Sequence, residues 1–277
     1  MLFSLVIIVK GRVQQLRNVL ESVSRSSLLP HDIQIVTMDD TDNYAFTNSL
    51  ELPIELHAMS SSETLPLAAA RNAGAKAAKT DILFFLDVDC IVHPNLFKDM
   101  IETMKGKTVL SAYPMYLPYL PEHGVYETLL SDAVKHPDRA SIPAGHAVSY
   151  KKFWSLIFCI QKSAFNKIGG FDESFTGYGG EDTDFAHSFD AHGYILEYVN
   201  THVLHQWHKK YSPPVNYLDD ILVNAKQYFK KWNVYPMYAW LQEFEKMGLI
   251  SLHNNQIIKL RDPTEAEISA SESNDPY

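Results

Sequence analysis

Asp87-Val-Asp89 is the first place in this sequence where chemistry can be read. Two carboxylates two residues apart close the apolar run Ile82-Leu-Phe-Phe-Leu86. Where a chain leaves a sheet, such a pair can share a hard cation and a ribose. Oxygen ligands suit Mg²⁺ or Mn²⁺, and either ion neutralises a diphosphate. Two solvated loop acids are the plainer alternative, and the apolar strand before them argues against it. A second cluster is Gly177-Tyr-Gly-Gly-Glu-Asp-Thr-Asp184. Its glycines permit unusual dihedrals and close approach to a ligand. Its acids fall at a helix N-terminus, where the dipole favours negative charge and keeps a carboxylate ionised, as a general base must be. An ordinary acidic helix cap would look the same.

The third cluster is His202-Val-Leu-His205-Gln-Trp-His208. On a regular strand His202 and His208 share one face and His205 takes the other. All three can therefore ligate one ion only if the backbone bends. One imidazole added to a metal already held by Asp89 is more economical, and a surface histidine cluster is the alternative. Arg71 and Asn72, in Ala68-Ala-Ala-Arg-Asn-Ala-Gly74, stand where a polar pair could reach a phosphate or ribose, or simply face water. Tyr113, Tyr116, Tyr119, Tyr126 and Trp154 have a loop context suited to stacking on a sugar. Trp232, Tyr235, Trp240 and Phe244 read as helix packing.

The elements that must position these residues follow from periodicity. Residues 2–9, 32–38, 54–59 and 81–86 read as strands, and 12–27, 67–79 and 94–105 as helices. Strand–helix alternation predicts a mostly parallel sheet with helices on both faces. Ligands on such sheets sit outside the carboxyl ends of the strands, where Lys10-Gly-Arg12, Asp39-Asp40 and Asp87-Val-Asp89 fall. Residues 111–149, rich in Tyr, Pro and His, read as loops. A strand follows over 153–160, a helix over 181–192, a strand over 194–199, and two amphipathic helices over 217–232 and 236–247. Residues 261–277, with five acids, one arginine and few apolar side chains, predict a disordered acidic tail.

Composition bounds the rest. The chain has 277 residues, 46% apolar and 21% charged, which excludes wholesale disorder and suffices for a large core. Its net charge of −9 disfavours a nucleic-acid binder. The two cysteines, Cys90 and Cys159, lie in apolar runs and read as buried free thiols. The apolar start lacks a basic leader and a cleavage site, and no run is long enough for a membrane span. A soluble cytoplasmic protein is expected, with peripheral contact at the inner membrane face left open.

Taken together, these motifs resemble a GT-A fold glycosyltransferase of the family 2 type. The parts that carry the resemblance are the Val6-Ile-Ile-Val-Lys10 start, Val36-Thr-Met-Asp-Asp40, Ala70-Arg-Asn-Ala-Gly74, Phe84-Phe-Leu-Asp-Val-Asp89 and Ile168-Gly-Gly-Phe-Asp-Glu173. The segment Gly177–Asp184 is similar to the acceptor motif of the β-1,4-galactosyltransferases and the polypeptide N-acetylgalactosaminyltransferases, so a bacterial galactosyltransferase-like protein is implied. The implied fold is α/β, a Rossmann-like, mostly parallel sheet flanked by helices, with C-terminal helices. The implied organisation is a nucleotide-sugar half (1–110), an acceptor and catalytic half (111–210), a helical extension (211–260) and the tail (261–277). The implied activity is metal-dependent, inverting transfer of a hexose (galactose, N-acetylgalactosamine or glucose) from a UDP-sugar to a saccharide or glycolipid.

The resemblance also distributes roles. Asp182 is implied as catalytic base and Glu181 as an acceptor or base-orienting carboxylate. Donor contacts are implied for Val9, Lys10, Arg12, Asp39, Arg71, Asp87, Tyr178, Gly179 and Gly180. Mn²⁺ or Mg²⁺ falls to Asp89 with His205, beside Asp87, with His208 as the other candidate. Acceptor contacts fall to Trp154, Tyr178, Glu181 and Asp182. Two departures stand out: Thr183 replaces a third consecutive acid, and Lys10-Gly-Arg12 lacks the usual Thr-Tyr-Asn-like pattern. The rival readings are a sugar-nucleotide pyrophosphorylase, a metallohydrolase built on the three histidines, and a silent nucleotide- or sugar-binding module.

Overall fold

A computed structural model describes residues 1–59 and 64–277. The first half alternates strands and helices: β1 (Ser4–Val9), α1 (Val13–Ser24), β2 (Asp32–Thr37), β3 (Ile54–Ala58), α2 (Leu67–Ala77), β4 (Ile82–Asp87), β5 (Cys90–Val92) and α3 (Leu96–Thr103). The second half is β6 (Thr108–Tyr116), α4 (Tyr126–Leu129), β7 (Val134–Lys135), α5 (Pro137–Ala140), β8 (Ala147–Val148), β9 (Ile157–Gln161), α6 (Lys162–Ile168), α7 (Glu181–Ala191) and β10 (Ile195–His205). A C-terminal unit adds β11 (Lys210–Tyr211), α8 (Leu218–Trp232), α9 (Tyr238–Lys246), the hairpin β12 (Ile250–His253) and β13 (Gln256–Lys259), α10 (Glu265–Ala270) and β14 (Glu272–Ser273).

One sheet runs β3-β2-β1-β4-β9-β6-β10-β5, with β7 on β6 and β8 on β10. Strands β1 to β4 pair in parallel, as do β6 and β10, whereas β9 runs against both β4 and β6. Both faces of the sheet are apolar because both are covered. Leu5, Ile7, Phe84 and Leu86 pack under Leu16 and Leu20 of α1 and Phe97 of α3. On the other face Val6, Phe85 and Phe158 meet Phe165, Phe171, Phe185 and Phe189. A separate cluster of Leu218, Ile221, Leu222, Leu241, Phe244 and Ile257 holds the C-terminal unit together. Cys90 and Cys159 are buried and free. Among the described residues no helix is long and apolar enough to cross a membrane.

Three sequence expectations are corrected. Residues 111–149 are not all loop: β6 runs to Tyr116 through the middle of the sheet. Pro114 argues against a central strand because it cannot donate to a ladder. It nevertheless sits in register opposite Val203 of β10, just past the shift in β6–β10 pairing between Tyr198 and His202. The strand expected over 153–160 begins only at Ile157, leaving Phe153 and Trp154 in the loop before it. The tail at 261–277 is not disordered. Arg261 pairs with both oxygens of Glu267 at 2.7 and 2.8 Å, Thr264 and Glu267 form a capping box on α10, and β14 pairs with β11. Counting net charge hid this local pairing.

α2 lies close on β1 because Gly74 faces Val6. A methyl group at Gly74 would overlap the Val6 side chain. Gly74→Ala should therefore lower stability by roughly 1–3 kcal/mol through overpacking, despite alanine's better helix propensity. Urea unfolding measures this, and an unchanged or raised midpoint would contradict the packing described.

Candidate active site

β5 positions the first half of the site. It runs antiparallel to β10 with Cys90 opposite His205, which sets the preceding residue, Asp89, beside the end of β10. The Gln206 backbone N–H donates to the Asp89 carbonyl at 2.7 Å. The fully buried Gln206 side chain accepts from Asn18 Nδ2 at 2.7 Å and donates to the Gln15 carbonyl at 3.2 Å. These bonds fix the turn from His205 to His208 against α1. Neither Asn18 nor Gln206 stood out in the sequence, because neither type signals anything until its partner is in place.

Asp89, His205 and His208 offer ligand atoms that all lie within 4.8 Å of one another. Asp89 is 3% exposed, and its Oδ1 is buried without a hydrogen-bond partner. Its Oδ2 pairs with the Arg12 guanidinium and lies 3.8 Å from His208 Nε2. Burial and the neighbouring cations lower the pKa of both histidines, His205 well below its usual range, so both imidazoles are neutral, as ligation requires. One carboxylate oxygen without a partner beside two neutral imidazoles fits a divalent cation of the Mn²⁺ type. His205 and His208 thus come together, whereas His202 turns to Tyr113, with ring centroids 5.9 Å apart. The three-histidine centre of a hydrolase is not assembled. Asp87 stands at the end of β4, half-buried and outside the cluster.

At the neighbouring strand ends, Asp39 Oδ2 accepts from the Gly11 N–H at 2.8 Å, and the Tyr44 hydroxyl donates to the same carboxylate. That tether joins the end of β1 at Val9 and the loop after it, which carries Lys10 and Arg12, to the end of β2.

The second half of the site is the loop and first turn of α7. Gly177, Gly179 and Gly180 all have positive φ. A methyl at Gly177 would overlap the Asp220 carboxylate, which accepts from the Tyr178 N–H at 3.0 Å. Asn224 Nδ2 donates to the carbonyls of Thr176 and Gly179 at 2.8 and 2.7 Å. The loop is thus held from α8, and Tyr178 stacks on Tyr217 with centroids 4.3 Å apart. Burial, Glu181 and Asp182 push the Tyr178 hydroxyl up to about 12, while Arg12 acts in the opposite sense. Tyr178 is therefore within electrostatic reach of both the α7 acids and Arg12, the partner of Asp89.

Three acids of α7 have three environments. Glu181 is buried and pairs with Arg71 Nη1 at 3.0 Å, while Arg71 Nη2 donates to Ser155 Oγ at 3.0 Å. Arg71 is thus engaged inside the protein in this structure. Asp184 is buried against Lys231 at 2.8 Å and Trp232 Nε1 at 2.7 Å, which ties α7 to α8. Asp182 has no cation paired to it among the described residues. Its Oδ1 accepts from the Thr183 hydroxyl at 3.2 Å, and burial with the adjacent Glu181 raises its pKa to about 6. Asn72 is structural: its amide bridges the backbone of Phe171, at 2.8 and 2.9 Å.

Trp154 lies under the Arg139 guanidinium, 3.4 Å from ring centroid to Cζ, and edge-on to His136. Tyr116 links His136 to His205, at 5.8 and 5.0 Å between centroids, and Tyr277 of the C-terminal segment packs on Tyr116 and His136.

A family model described as glycosyl transferase family 2 matches residues 4–173. The chain belongs to that family. The match ends before Gly177, so the α7 loop is outside it. This family 2 chain is 29% identical over 219 residues to validoxylamine A glucosyltransferase of Streptomyces hygroscopicus subsp. limoneus. The aligned part is 69% of this chain and 48% of that relative, so the chain spans about half the length of the curated relatives it matches. The fold is that of GT-A glycosyltransferases. GalNAc-T7 with UDP, GalNAc and Mn²⁺ superposes with a TM-score of 0.58 at 16% identity, covering 89% of this chain and 54% of that one. Staphylococcus aureus TarS with UDP-GlcNAc gives 0.58 at 13% identity, covering 83% and 67%.

The raised pKa of Asp182 makes its charge a cost to the fold. Stability is highest where the acid is protonated and falls as pH rises from the ordinary carboxyl range through about 6. Asp182→Asn should therefore raise stability at pH 8 by about 1–3 kcal/mol, with the gain shrinking below pH 6. Urea midpoints at both pH values measure this, and a pH-independent difference would refute it.

Proposed function

We propose that this chain transfers a hexose from a UDP-sugar to a hydroxyl of a saccharide or glycolipid, with inversion and with Mn²⁺ or Mg²⁺. The observation that carries the reading is the Asp89–His205–His208 cluster, with its unpartnered buried oxygen; Tyr178 is within electrostatic reach of both Arg12, the partner of Asp89, and Asp182. Membership of family 2 supports transferase chemistry over the pyrophosphorylase and hydrolase alternatives. The UDP bound by GalNAc-T7 and the UDP-GlcNAc bound by TarS support a UDP donor. Glucose heads the donor panel because a curated relative is named a glucosyltransferase. The likeness of the α7 loop to galactosyl and N-acetylgalactosaminyl enzymes keeps those two sugars beside it.

The proposed roles follow from the environments above. Asp182 takes the acceptor hydroxyl proton on its free oxygen as that hydroxyl attacks C1 from the face opposite UDP. A carboxylate with a pKa near 6 is ionised at neutral pH and more basic than an ordinary one. Glu181, held by Arg71, keeps a fixed negative charge next to Asp182. Arg71 thus acts through Glu181, a different role from the donor contact implied by resemblance. A divalent ion on Asp89, His205 and His208 would supply charge stabilisation to the departing diphosphate. Arg12, now neutralising Asp89, is placed to hold phosphate oxygens. Asp39 has acceptor capacity left beyond Gly11 and Tyr44 for a uracil N–H. The loop of Tyr178, Gly179 and Gly180 covers the donor and excludes water.

UDP release from a donor panel with Mn²⁺ and simple acceptors tests the reaction. Asp182→Asn should cut transfer by about 10²–10⁴-fold while leaving UDP binding intact. The wild-type rate should rise with pH through about 6 as Asp182 ionises. Near-normal transfer by the variant removes it as the base. In a direct Mn²⁺ titration, Asp89→Asn and His208→Ala should each weaken binding by at least about tenfold. Unchanged affinity in both places the ion elsewhere.

A further inference from the structure

Beside Trp154 lies a cavity of about 250 Å³, at the small end of ligand pockets, walled by β6, α5 and the bulge of β10. Lys135, His136, Arg139 and His202 line it, and among the described residues no acidic one does, in a chain whose net charge is −9. Arg139 is 4% exposed, its Nε is buried without a hydrogen-bond partner, and no carboxylate pairs with it among the described residues. A buried guanidinium in that state is costly unless an anion meets it. The Trp154 ring packs against it, which holds the guanidinium plane without satisfying its N–H groups.

The neighbouring charges agree. Asp138, exposed on α5, and Asp182 are within electrostatic reach of Arg139 but do not bond to it. Lys152 and Lys210 add positive charge around His136. His136 Nδ1 accepts from the Asp138 N–H at 3.1 Å, which leaves Nε2 as the donor nitrogen of the ring. The cavity therefore offers a forked guanidinium, an imidazole N–H and an exposed ammonium.

We propose that this pocket binds an oxyanion, a carboxylate or a phosphate, carried by the acceptor, with Arg139 as its principal partner and His136 and Lys135 beside it. The inference rests on the transferase reading, because it takes Asp182, within electrostatic reach of Arg139, as the residue that meets the acceptor hydroxyl. It makes the acceptor an acidic saccharide or a sugar phosphate rather than a neutral sugar. Charge-assisted, forked bonds from a guanidinium are the geometry that selects such groups.

The test is calorimetric titration of the full chain, with UDP and Mn²⁺ present, using methyl β-glucoside, methyl β-glucuronide and glucose 6-phosphate as probes. At least one charged probe should bind roughly tenfold or more tighter than the neutral one, the scale of one hydrogen bond to a charged group. The advantage should shrink with added NaCl and disappear in Arg139→Gln. Which charged probe wins distinguishes carboxylate from phosphate. Equal binding of all three probes, no binding of either charged one, or a preference surviving in Arg139→Gln overturns the proposal. Should Arg139→Gln not fold, Lys135→Ala, at an exposed position, decides: a severalfold weaker preference supports the pocket and an unchanged one overturns it. A parallel UDP titration separates the two readings. Lost UDP binding with anion preference intact sinks the donor reading alone. Intact UDP binding without preference sinks the pocket alone.

Discussion

A carboxylate buried at the end of a sheet must have a cation, and the candidate site is organised around that requirement at Asp89. Leaving it bare would cost several kcal/mol. Arg12 meets one oxygen, and the other has no partner. The pair is unequal: Arg12 is half-exposed on a loop, whereas Asp89 is fixed by β5 and by its carbonyl's bond to Gln206. The anion is therefore rigid and its cation is exchangeable. The same antiparallel pairing that fixes Asp89 brings His205 and His208 to it. The candidate metal cluster is thus a consequence of how β5 meets β10, and disturbing that short pairing would scatter all three groups.

The first turn of α7 applies the same principle with the opposite result. Glu181 has Arg71, and Asp184 has Lys231 and Trp232. Asp182, between them, has no paired cation among the described residues, only hydrogen bonds from Thr183, and carries the neighbouring negative charge of Glu181 as well. Three acids within four residues therefore differ in what they can do. Two are anchors, one to the sheet side and one to α8. The third is the acid whose proton is easiest to move near neutral pH, because nothing permanently satisfies its charge.

What was legible in the sequence follows from how local each signal is. The parallel half of the sheet and the helices that cover it were readable, since each depends on period. Asp89 stood out at the end of its apolar strand, whereas its association with one imidazole, His205 or His208, came from economy and resemblance, because those residues are distant in sequence. The β6 strand was hidden by Pro114, a residue type that argues against a central strand although here it pairs opposite Val203 of β10. The ordering of residues 261–277 was hidden because net charge does not show that Arg261 and Glu267 pair. The partners of Arg71 were unreadable: Glu181 lies 110 residues away, so the guanidinium looked free for a donor. Arg139 gave no signal at all, since its meaning lies in the absence of a partner, which only a folded chain reveals.

The C-terminal unit explains why the site does not end where the family match ends. The glycine loop has three positive-φ residues and gains little stability from its own side chains. Its shape is imposed by α8, through Asp220 on the Tyr178 N–H and Asn224 on two carbonyls. The space at Gly177 is filled by Asp220 itself, so loop and helix are matched to each other residue by residue. α8 in turn is held to α7 by Lys231 and Trp232 on Asp184. A closed circuit results, from the α7 turn through the loop to α8 and back, with Asp182 inside it. The helices after β10 are therefore part of what fixes the proposed base, although none of their side chains needs to touch a reacting atom.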